Sequence, residues 1–502
     1  MFAGLKEYIT ELKNHGLVVR TKELPDVDVP ILSVTYNSKE AKENCLFVCK
    51  GASFKKEYLE AALLAGAAAY VSETDYEIPG VPAVIVNNIR SAMIVIAQLA
   101  FGAPDEKINI IAVTGTKGKT TTCYLLKQIF DAWLDGRNEK KAAFLTSVET
   151  FDGERSFPSV NTTPEIFESY GFLSKAARLG LRFAIMEISS QGLKYGRVAG
   201  LKFGTGILLN LSPDHVSPIE HPDLDDYYSS KLGMFAQTKN AIVNLDSDYA
   251  DEMIRAAALA DAAWTYGTKR DSDYRISEEK SRGGHSFFTM HAEGREISFE
   301  LGLRGVYNIE NAAAAILAGR LYGIPFEIMQ KALKDISIPG RGEEFETADH
   351  KISVIVDYAH NEISCRKVIS SAKEDWPEKK IITVFGCTGG KALNRREGMG
   401  RTISELSDKI YLTADDPGPE DVNDICAEVA GYLGNCEYEI ITDRETAVRK
   451  AFSDIDSPSV LLLLGKGCET AQKVGKSSVF YPSDAAVILE CIKEYDEEKT
   501  GE

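Results

Sequence analysis

Among 502 residues there is no run of about 18 consecutive apolar residues, so no membrane-spanning helix is expected. The opening Met1-Phe2-Ala3-Gly4-Leu5-Lys6-Glu7 lacks the apolar centre of a signal peptide, and no targeting segment is expected. Positive charge is short as well: 57 Lys and Arg face 75 Asp and Glu, a formal net charge of -18. That balance argues against a nucleic-acid surface, while leaving room for a local basic pocket that takes phosphate. The nine cysteines are scattered, with no second pair to complete a zinc site. Cys45 and Cys49, the closest pair, read as small core residues of a strand. Free thiols at this level suit a reducing cytoplasm. Internal repeats and low-complexity tracts are also missing. What remains is an ordinary globular composition, 44% hydrophobic and 26% charged. The chain is too long for one core, so roughly two to four domains are expected.

A further absence lies inside the most informative stretch, Ala112-Val113-Thr114-Gly115-Thr116-Lys117-Gly118-Lys119-Thr120-Thr121-Thr122. Strict Walker spacing needs a glycine where Val113 stands, so this is a shortened variant, G-T-x-G-K-T. The apolar run at 108–113 reads as a buried parallel strand. It empties into Gly115 and Gly118, and a helical pattern follows through Leu125, Leu126, Ile129, Phe130 and Trp133. Strand, glycine turn and helix N-terminus present backbone N–H groups and a positive dipole end to an anion. Lys119 adds a point charge for outer phosphates, and the Thr120 hydroxyl reaches toward a magnesium ion. ATP is the expected ligand; a glycine turn in an ordinary α/β crossover is the bland alternative.

Residues 1–103 read as a small α/β domain: an amphipathic helix (Leu5, Ile9, Leu12), strands at 32–36, 46–49 and 83–86, and helices at 58–68 and 89–101. Gly102-Ala103-Pro104-Asp105 reads as the linker into residues 104–338. There, apolar strands release polar residues at their C-terminal ends: Glu187-Ile188-Ser189-Ser190, Asn210-Leu211-Ser212-Pro213-Asp214-His215, and Asp246. Those ends line the ligand crevice of a parallel sheet, which gives Glu187 the setting of a magnesium carboxylate. Residues 339–502 repeat the rhythm, with strands opening into Asp357-Tyr358-Ala359-His360, Gly386-Cys387-Thr388-Gly389-Gly390, Asp415-Asp416-Pro417-Gly418 and Gly465-Lys466-Gly467-Cys468-Glu469. This is a second ligand-binding sheet.

Taken together the chain resembles the Mur ligase family, the ATP-dependent amino-acid-adding enzymes of peptidoglycan synthesis. The resemblance is carried by Gly115 to Thr121, Thr162-Thr163-Pro164-Glu165, Glu187-Ile188-Ser189-Ser190, Asp214-His215, Lys231-Leu232-Gly233-Met234-Phe235, Asn308-Ile309-Glu310-Asn311, Pro339-Gly340-Arg341, Asp357-Tyr358-Ala359-His360 and Gly465-Lys466-Gly467, in the family's order. Within the family it is most similar to the branch that adds the third residue. The resemblance implies an α/β chain of three domains: a small UDP-binding module (1–103), a central P-loop ATPase with a mainly parallel sheet (104–338) and a Rossmann-like amino-acid module (339–502).

An amide ligase of this kind activates a carboxylate as an acyl phosphate, which an amine then attacks. Phosphoryl transfer of this sort rests on positioning and charge neutralisation. The resemblance implies Gly115, Thr116, Lys117, Gly118, Lys119, Thr120 and Thr121 around the phosphates, and one magnesium at Thr120 and Glu187. It places a second magnesium at His215 and Lys231. An ammonium has no lone pair to ligate a cation. The family's answer is carbamylation of Lys231 by CO2. Asn308 and Asn311 fall on the adenine side, sharing a helix face, while Arg341, Asp357 and His360 match further nucleotide contacts. Thr162, Thr163, Ser190 and Arg197 match the muramyl-dipeptide site, and Ser38 falls near the uridine. The expected acceptor is UDP-MurNAc-L-Ala-D-Glu, used by a cytoplasmic monomer.

The identity of the added amino acid turns on one loop. Diaminopimelate adders carry Asp-Asn-Pro-Arg, whose arginine pairs with that substrate's distal carboxylate. Here the loop is Asp415-Asp416-Pro417-Gly418, a cation lost and an anion gained, which favours a side chain ending in an ammonium alone. Lysine fits, with Asp415, Asp416 and Glu469 around the ε-ammonium and Arg396 near the α-carboxylate; ornithine or diaminopimelate stays open. Other readings are a nucleotide- or UDP-sugar-binding paralogue without catalysis, a switch NTPase, and the related folylpolyglutamate synthase. The set Lys119, Thr120, Glu187, His215 and Lys231 argues against an idle binder, because a binder has no use for two metal sites.

Overall fold

Runs of Ile, Val, Ala and Leu bounded by glycine become the buried parallel strands of the computed structural model, which describes residues 3–51, 54–213, 220–390 and 393–500. The chain forms two compact units, residues 1–273 with 317–323 and residues 274–316 with 324–502.

The first unit opens with the helix Leu5–Asn14, burying Leu5, Tyr8, Ile9 and Leu12 at the expected spacing. Five strands follow in the order Val18–Lys22, Ala83–Val86, Ala69–Ser72, Cys45–Val48, Ser33–Thr35; the first pair is antiparallel and the rest parallel. Cys45 and Cys49 are buried here, as expected of core residues. The helix expected over 58–68 runs instead over Lys56–Leu64. Gly66, at φ +99°, turns the chain so that Ala69–Ser72 becomes a strand, and a Cβ there would sit 2.9 Å from the Glu43 Cα.

The same unit holds the P-loop sheet. Its strands run in the order Ala262–Gly267, Thr238–Asn244, Phe203–Leu208, Asn109–Thr114, Phe183–Glu187, Ala143–Leu145, all parallel. Glu149–Phe151 and Ser156–Pro158 extend it as antiparallel edge strands. The P-loop strand is therefore central, flanked by Phe203–Leu208 and Phe183–Glu187. Its neighbours deliver Asn210, Ser212, Glu187 and Ser190 to one sheet edge. Burial of Ile110, Ile111, Ala112 and Val113 fixes the register that sets this edge.

In the second unit, Tyr274–Arg282, His285–Ala292 and Arg295–Leu301 form an antiparallel meander. A six-stranded sheet runs Arg341–Glu346, Ile352–Asp357, Ser459–Leu464, Lys380–Phe385, Lys409–Leu412, Glu437–Ile440, with only the first strand antiparallel. A hairpin, Ala471–Val474 with Ser477–Phe480, stands apart from it. No helix among the described residues is long and apolar enough to cross a membrane.

Candidate active site

Gly115 has φ +151° and Gly118 φ +85°, both in the left-handed half of backbone space. A Cβ on Gly115 would lie 3.1 Å from the Leu209 Cβ, a close approach to which the neighbour would have to yield. The loop is braced from the neighbouring strand end. The Thr116 N–H donates to the Asn210 carbonyl at 3.0 Å, and the Lys117 N–H donates to Asn210 Oδ1 at 2.9 Å. The Ser212 N–H donates to Thr116 Oγ1 at 3.0 Å. Lys119 opens the helix Lys119–Asp135, and its Nζ donates back to the carbonyls of Gly115 and Thr116 at 3.2 and 3.3 Å. A glycine cradle, a helix N-terminus and a lysine folded over the loop fit a polyphosphate.

One residue into that helix, the buried Thr120 hydroxyl donates to Glu187 Oε2 at 2.9 Å. The Ser147 N–H donates to the same oxygen at 3.0 Å, and Ser147 Oγ lies 3.2 Å from Thr120 Oγ1. A hydroxyl and a carboxylate meeting beside a phosphate cradle are hard oxygen donors suited to magnesium. Thr121 is buried in the same turn. Lys231, 1% exposed on the helix Leu224–Leu232, donates from Nζ to the Gly115 carbonyl at 2.8 Å. Its ammonium also lies 4.9 Å from the centre of the Tyr227 ring, and the Tyr227 hydroxyl donates to Thr116 Oγ1 at 3.2 Å. Lys231 is thus drawn to the P-loop. His215, expected at the same metal, lies outside the described residues, as does Asp214.

The residues expected at the acceptor also gather at this edge. Thr163 Oγ1 donates to the Glu187 carbonyl at 3.1 Å and accepts from the Ser189 N–H at 2.9 Å. Arg197 donates to the Thr163 carbonyl at 3.0 Å, with its Nε 3.0 Å from Glu165 Oε1. Glu165 also pairs with Lys50 of the N-terminal sheet region, and Tyr36 donates to Glu168 at 2.5 Å. Thr162 is half-buried in the same turn, and Ser38 is half-buried after the strand Ser33–Thr35.

Sequence reasoning missed a relay here. Ser190 Oγ lies 3.0 Å from His221 Nε2, and His221 Nδ1 lies 2.6 Å from Asp226 Oδ2. His221 is fully buried, and Lys194 Nζ sits 2.6 Å from the same Asp226 oxygen. No periodic signal marks His221. Tyr227, four residues before Lys231 on one helix, was open to detection by its spacing.

In the second unit, Asn308 and Asn311 share a face of the helix Val306–Leu321 as expected; Asn311 Nδ2 donates to Asn308 Oδ1 at 3.1 Å, and Asn308 to the Arg304 carbonyl at 2.8 Å. Arg341 pairs across the sheet with Asp357 and lays its guanidinium over Tyr358, 4.5 Å from the ring centre. Burial raises the Asp357 carboxyl above the ordinary value although Arg341 opposes it. His360 Nδ1 lies 2.7 Å from the Tyr358 carbonyl.

The carboxylates expected around an ε-ammonium do converge, but an ammonium of the protein already sits among them. Lys466, fully buried, places Nζ 2.8 Å from Asp416 Oδ1 and 2.7 Å from Glu469 Oε2. Burial works against its charge, yet the surrounding carboxylates prevail and hold its pKa above the ordinary lysine value. Asp416 is half-buried, which works against its charge, but Lys466 and the Lys473 N–H at 3.0 Å keep its pKa low. The Tyr358 hydroxyl donates to Glu469 Oε1 at 2.8 Å. Asp415 differs: burial lifts its carboxyl to about 6 against the pull of Arg444 and Lys466. Arg396 is more committed than expected. Its guanidinium pairs with Glu420 at 2.7 Å and Glu428 at 2.5 Å, leaving Nε without a hydrogen-bond partner among the described residues.

Comparison with known proteins bears on the family and the fold. The Mur ligase middle domain matches residues 113–319, and the Mur ligase glutamate ligase domain matches residues 340–467. The UDP-N-acetylmuramyl-tripeptide synthetase of Lactobacillus delbrueckii subsp. bulgaricus is 34% identical over 99% of this chain and 100% of its own length. The UDP-N-acetylmuramoyl-L-alanyl-D-glutamate--L-lysine ligase of Enterococcus faecalis is 36% identical over 91% of each chain. Among solved structures, a UDP-N-acetylmuramoyl-L-alanyl-D-glutamate--2,6-diaminopimelate ligase superposes with a TM-score of 0.64 at 25% identity, covering 93% of this chain and 95% of the other. With its P-loop, its strand-end carboxylates and two matching domains spanning most of its length, the chain belongs to the Mur ligase family.

Proposed function

We propose that the chain is an ATP-dependent ligase of peptidoglycan precursor synthesis. It joins the γ-carboxylate of D-Glu in UDP-MurNAc-L-Ala-D-Glu to the α-amine of L-lysine. ATP supplies a phosphoryl group that turns the acceptor carboxylate into an acyl phosphate, the form an amine can attack. Lys119 and the N–H groups of 115–121 hold the outer phosphates. Thr120 and Glu187 hold one magnesium, and His215 with a carbamylated Lys231 holds a second. Thr163, Ser190 and Arg197 orient the acceptor, with Thr162 beside them and Ser38 toward the uridine. Asn308, Asn311, Arg341, Asp357 and His360 complete the nucleotide contacts. We assign residues 1–103, 104–338 and 339–502 to the UDP, ATPase and amino-acid modules of a cytoplasmic monomer.

The observation that carries the lysine assignment is the seat of the Lys466 ammonium between Asp416 and Glu469. Three carboxylates, Asp415, Asp416 and Glu469, against that one resident ammonium leave negative charge for a second, and Gly418 supplies no guanidinium for a distal carboxylate. The relatives named as L-lysine ligases support the same reading. The experiment is phosphate release and product mass with ATP, magnesium and UDP-MurNAc-L-Ala-D-Glu, offering lysine, ornithine and diaminopimelate in parallel. Lysine is expected to give the highest kcat/KM. Product from diaminopimelate alone would overturn the specificity, and turnover of ATP without any amino acid would overturn ligation.

A further inference from the structure

Beneath the amino-acid loops lies an ion pair with no solvent exposure on either side chain, Arg444 and Asp484. Arg444 opens the helix Arg444–Ser453, and Asp484 opens the helix Asp484–Thr500. The pair is bidentate: Nε donates to Oδ1 at 2.8 Å and Nη2 to Oδ2 at 2.7 Å. The Tyr481 hydroxyl donates to Asp484 Oδ1 at 2.6 Å, and Ser483, at φ +84°, holds the turn that aims the carboxylate.

What Arg444 does with its remaining donors is the informative part. Nη2 donates to the Leu464 carbonyl at 2.9 Å, and Nη1 reaches the Ala414 carbonyl at 3.4 Å. Leu464 ends the strand Ser459–Leu464, just before Gly465 and Lys466. Ala414 follows the strand Lys409–Leu412, just before Asp415 and Asp416. These two strands are not neighbours, because Lys380–Phe385 runs between them. Each is laddered to that middle strand up to Leu463 and Leu412, and beyond the ladders the Arg444 guanidinium and the Lys466–Asp416 pair tie the two loops directly to each other. Stability alone is a weak reason to bury such a pair, since well-packed apolar residues commonly serve as well.

We propose that Arg444, held by Asp484, is a positioning residue for amino-acid selection. It fixes the Asp415–Asp416 turn relative to Lys466 and Glu469, and so the distance over which an incoming ammonium is gripped. This rests on the ligase reading given above. The test uses the full-length protein with two variants. R444M/D484M removes both charges together and strands neither. R444K keeps the charge and gives up the fork that reaches both carbonyls.

Folding is checked by thermal melting, and KM is measured separately for lysine, ATP and the UDP-linked acceptor. Expected is a rise of about tenfold or more in KM for lysine, a narrowed preference for lysine over ornithine, and an unchanged KM for ATP. R444K should show the same pattern more weakly. A folded double variant with wild-type lysine KM and wild-type preference overturns the role. If the double variant does not fold, an unchanged lysine KM and preference in R444K do so. Absence of lysine-dependent product from the wild type overturns the ligase reading instead, and this role with it.

Discussion

Lys231 Nζ donates to the carbonyl of Gly115 at 2.8 Å, joining the end of the helix Leu224–Leu232 to the first glycine of the P-loop. Its side chain is 1% exposed and also meets the Tyr227 ring, so the nitrogen is held beside the phosphate cradle, where a cation ligand would be needed. A carbamate on this nitrogen keeps one N–H for Gly115 and adds the oxygen donors a cation needs. Activity should therefore fall in CO2-depleted buffer and return with bicarbonate, and intact mass should show one added CO2. K231A should lose about 10²–10³-fold in kcat with its melting temperature little changed. Full activity under strict CO2 exclusion would remove the carbamate from the account.

The second prediction concerns pH. Folding raises Asp415 from 3.8 to about 6 by burial. Between about pH 4 and 6 the folded chain keeps a proton that the unfolded chain has released. Stability from this group is thus fully present below about pH 4 and is lost as pH rises through 6. Denaturant titrations should show a slope in that window, roughly 2–3 kcal/mol in all, that D415N flattens. If the slope survives in D415N, another carboxylate carries it. Binding should run the other way, with lysine affinity improving as Asp415 ionises.

His221 supplies the third. Its ring bridges Asp226 at Nδ1 and Ser190 at Nε2, and so fixes the direction in which the Ser190 hydroxyl points. H221N should raise KM for the UDP-linked acceptor by about tenfold while leaving KM for lysine unchanged. Equal losses for both substrates would indicate a general defect of folding.

A fourth follows from the turn itself. G115A forces a Cβ toward Leu209 at a backbone angle L-residues rarely adopt. The cost should be about 1–3 kcal/mol, read as a lowered melting temperature together with loss of nucleotide binding. An alanine variant with native stability and native ATP affinity would show that the loop relaxes freely.

Much of the fold was legible because buried parallel strands are near-continuous apolar runs, and Phe183–Glu187 and Ser459–Leu464 fall almost where their hydrophobicity ends. The meander of Tyr274–Arg282 and its partners was not, because stretches such as Ser277 to Ser281 are largely polar on a mostly solvated strand. At the site, Thr120 with Glu187 was readable from the P-loop and strand-end logic, whereas the grouping of Thr163, Ser190 and Arg197 came only from the family resemblance. Ser147, His221, Arg444 and Asp484 were not readable, because each acts through a contact distant in sequence that no local spacing encodes. Reading the loop charges alone also overstated the anionic character of the proposed amino-acid pocket, since Lys466 lay in view beside Glu469 without its partnership being apparent.

That lysine changes how selectivity should be pictured. A bare trio of carboxylates would welcome any cation, including metal ions and polyamines, with little regard for shape. With one ammonium resident, a newcomer finds only a residual deficit, met best by a single positive end at a set reach. Discrimination then comes from counting and distance, and a side chain that carries a carboxylate beside its ammonium arrives with no net charge to offer.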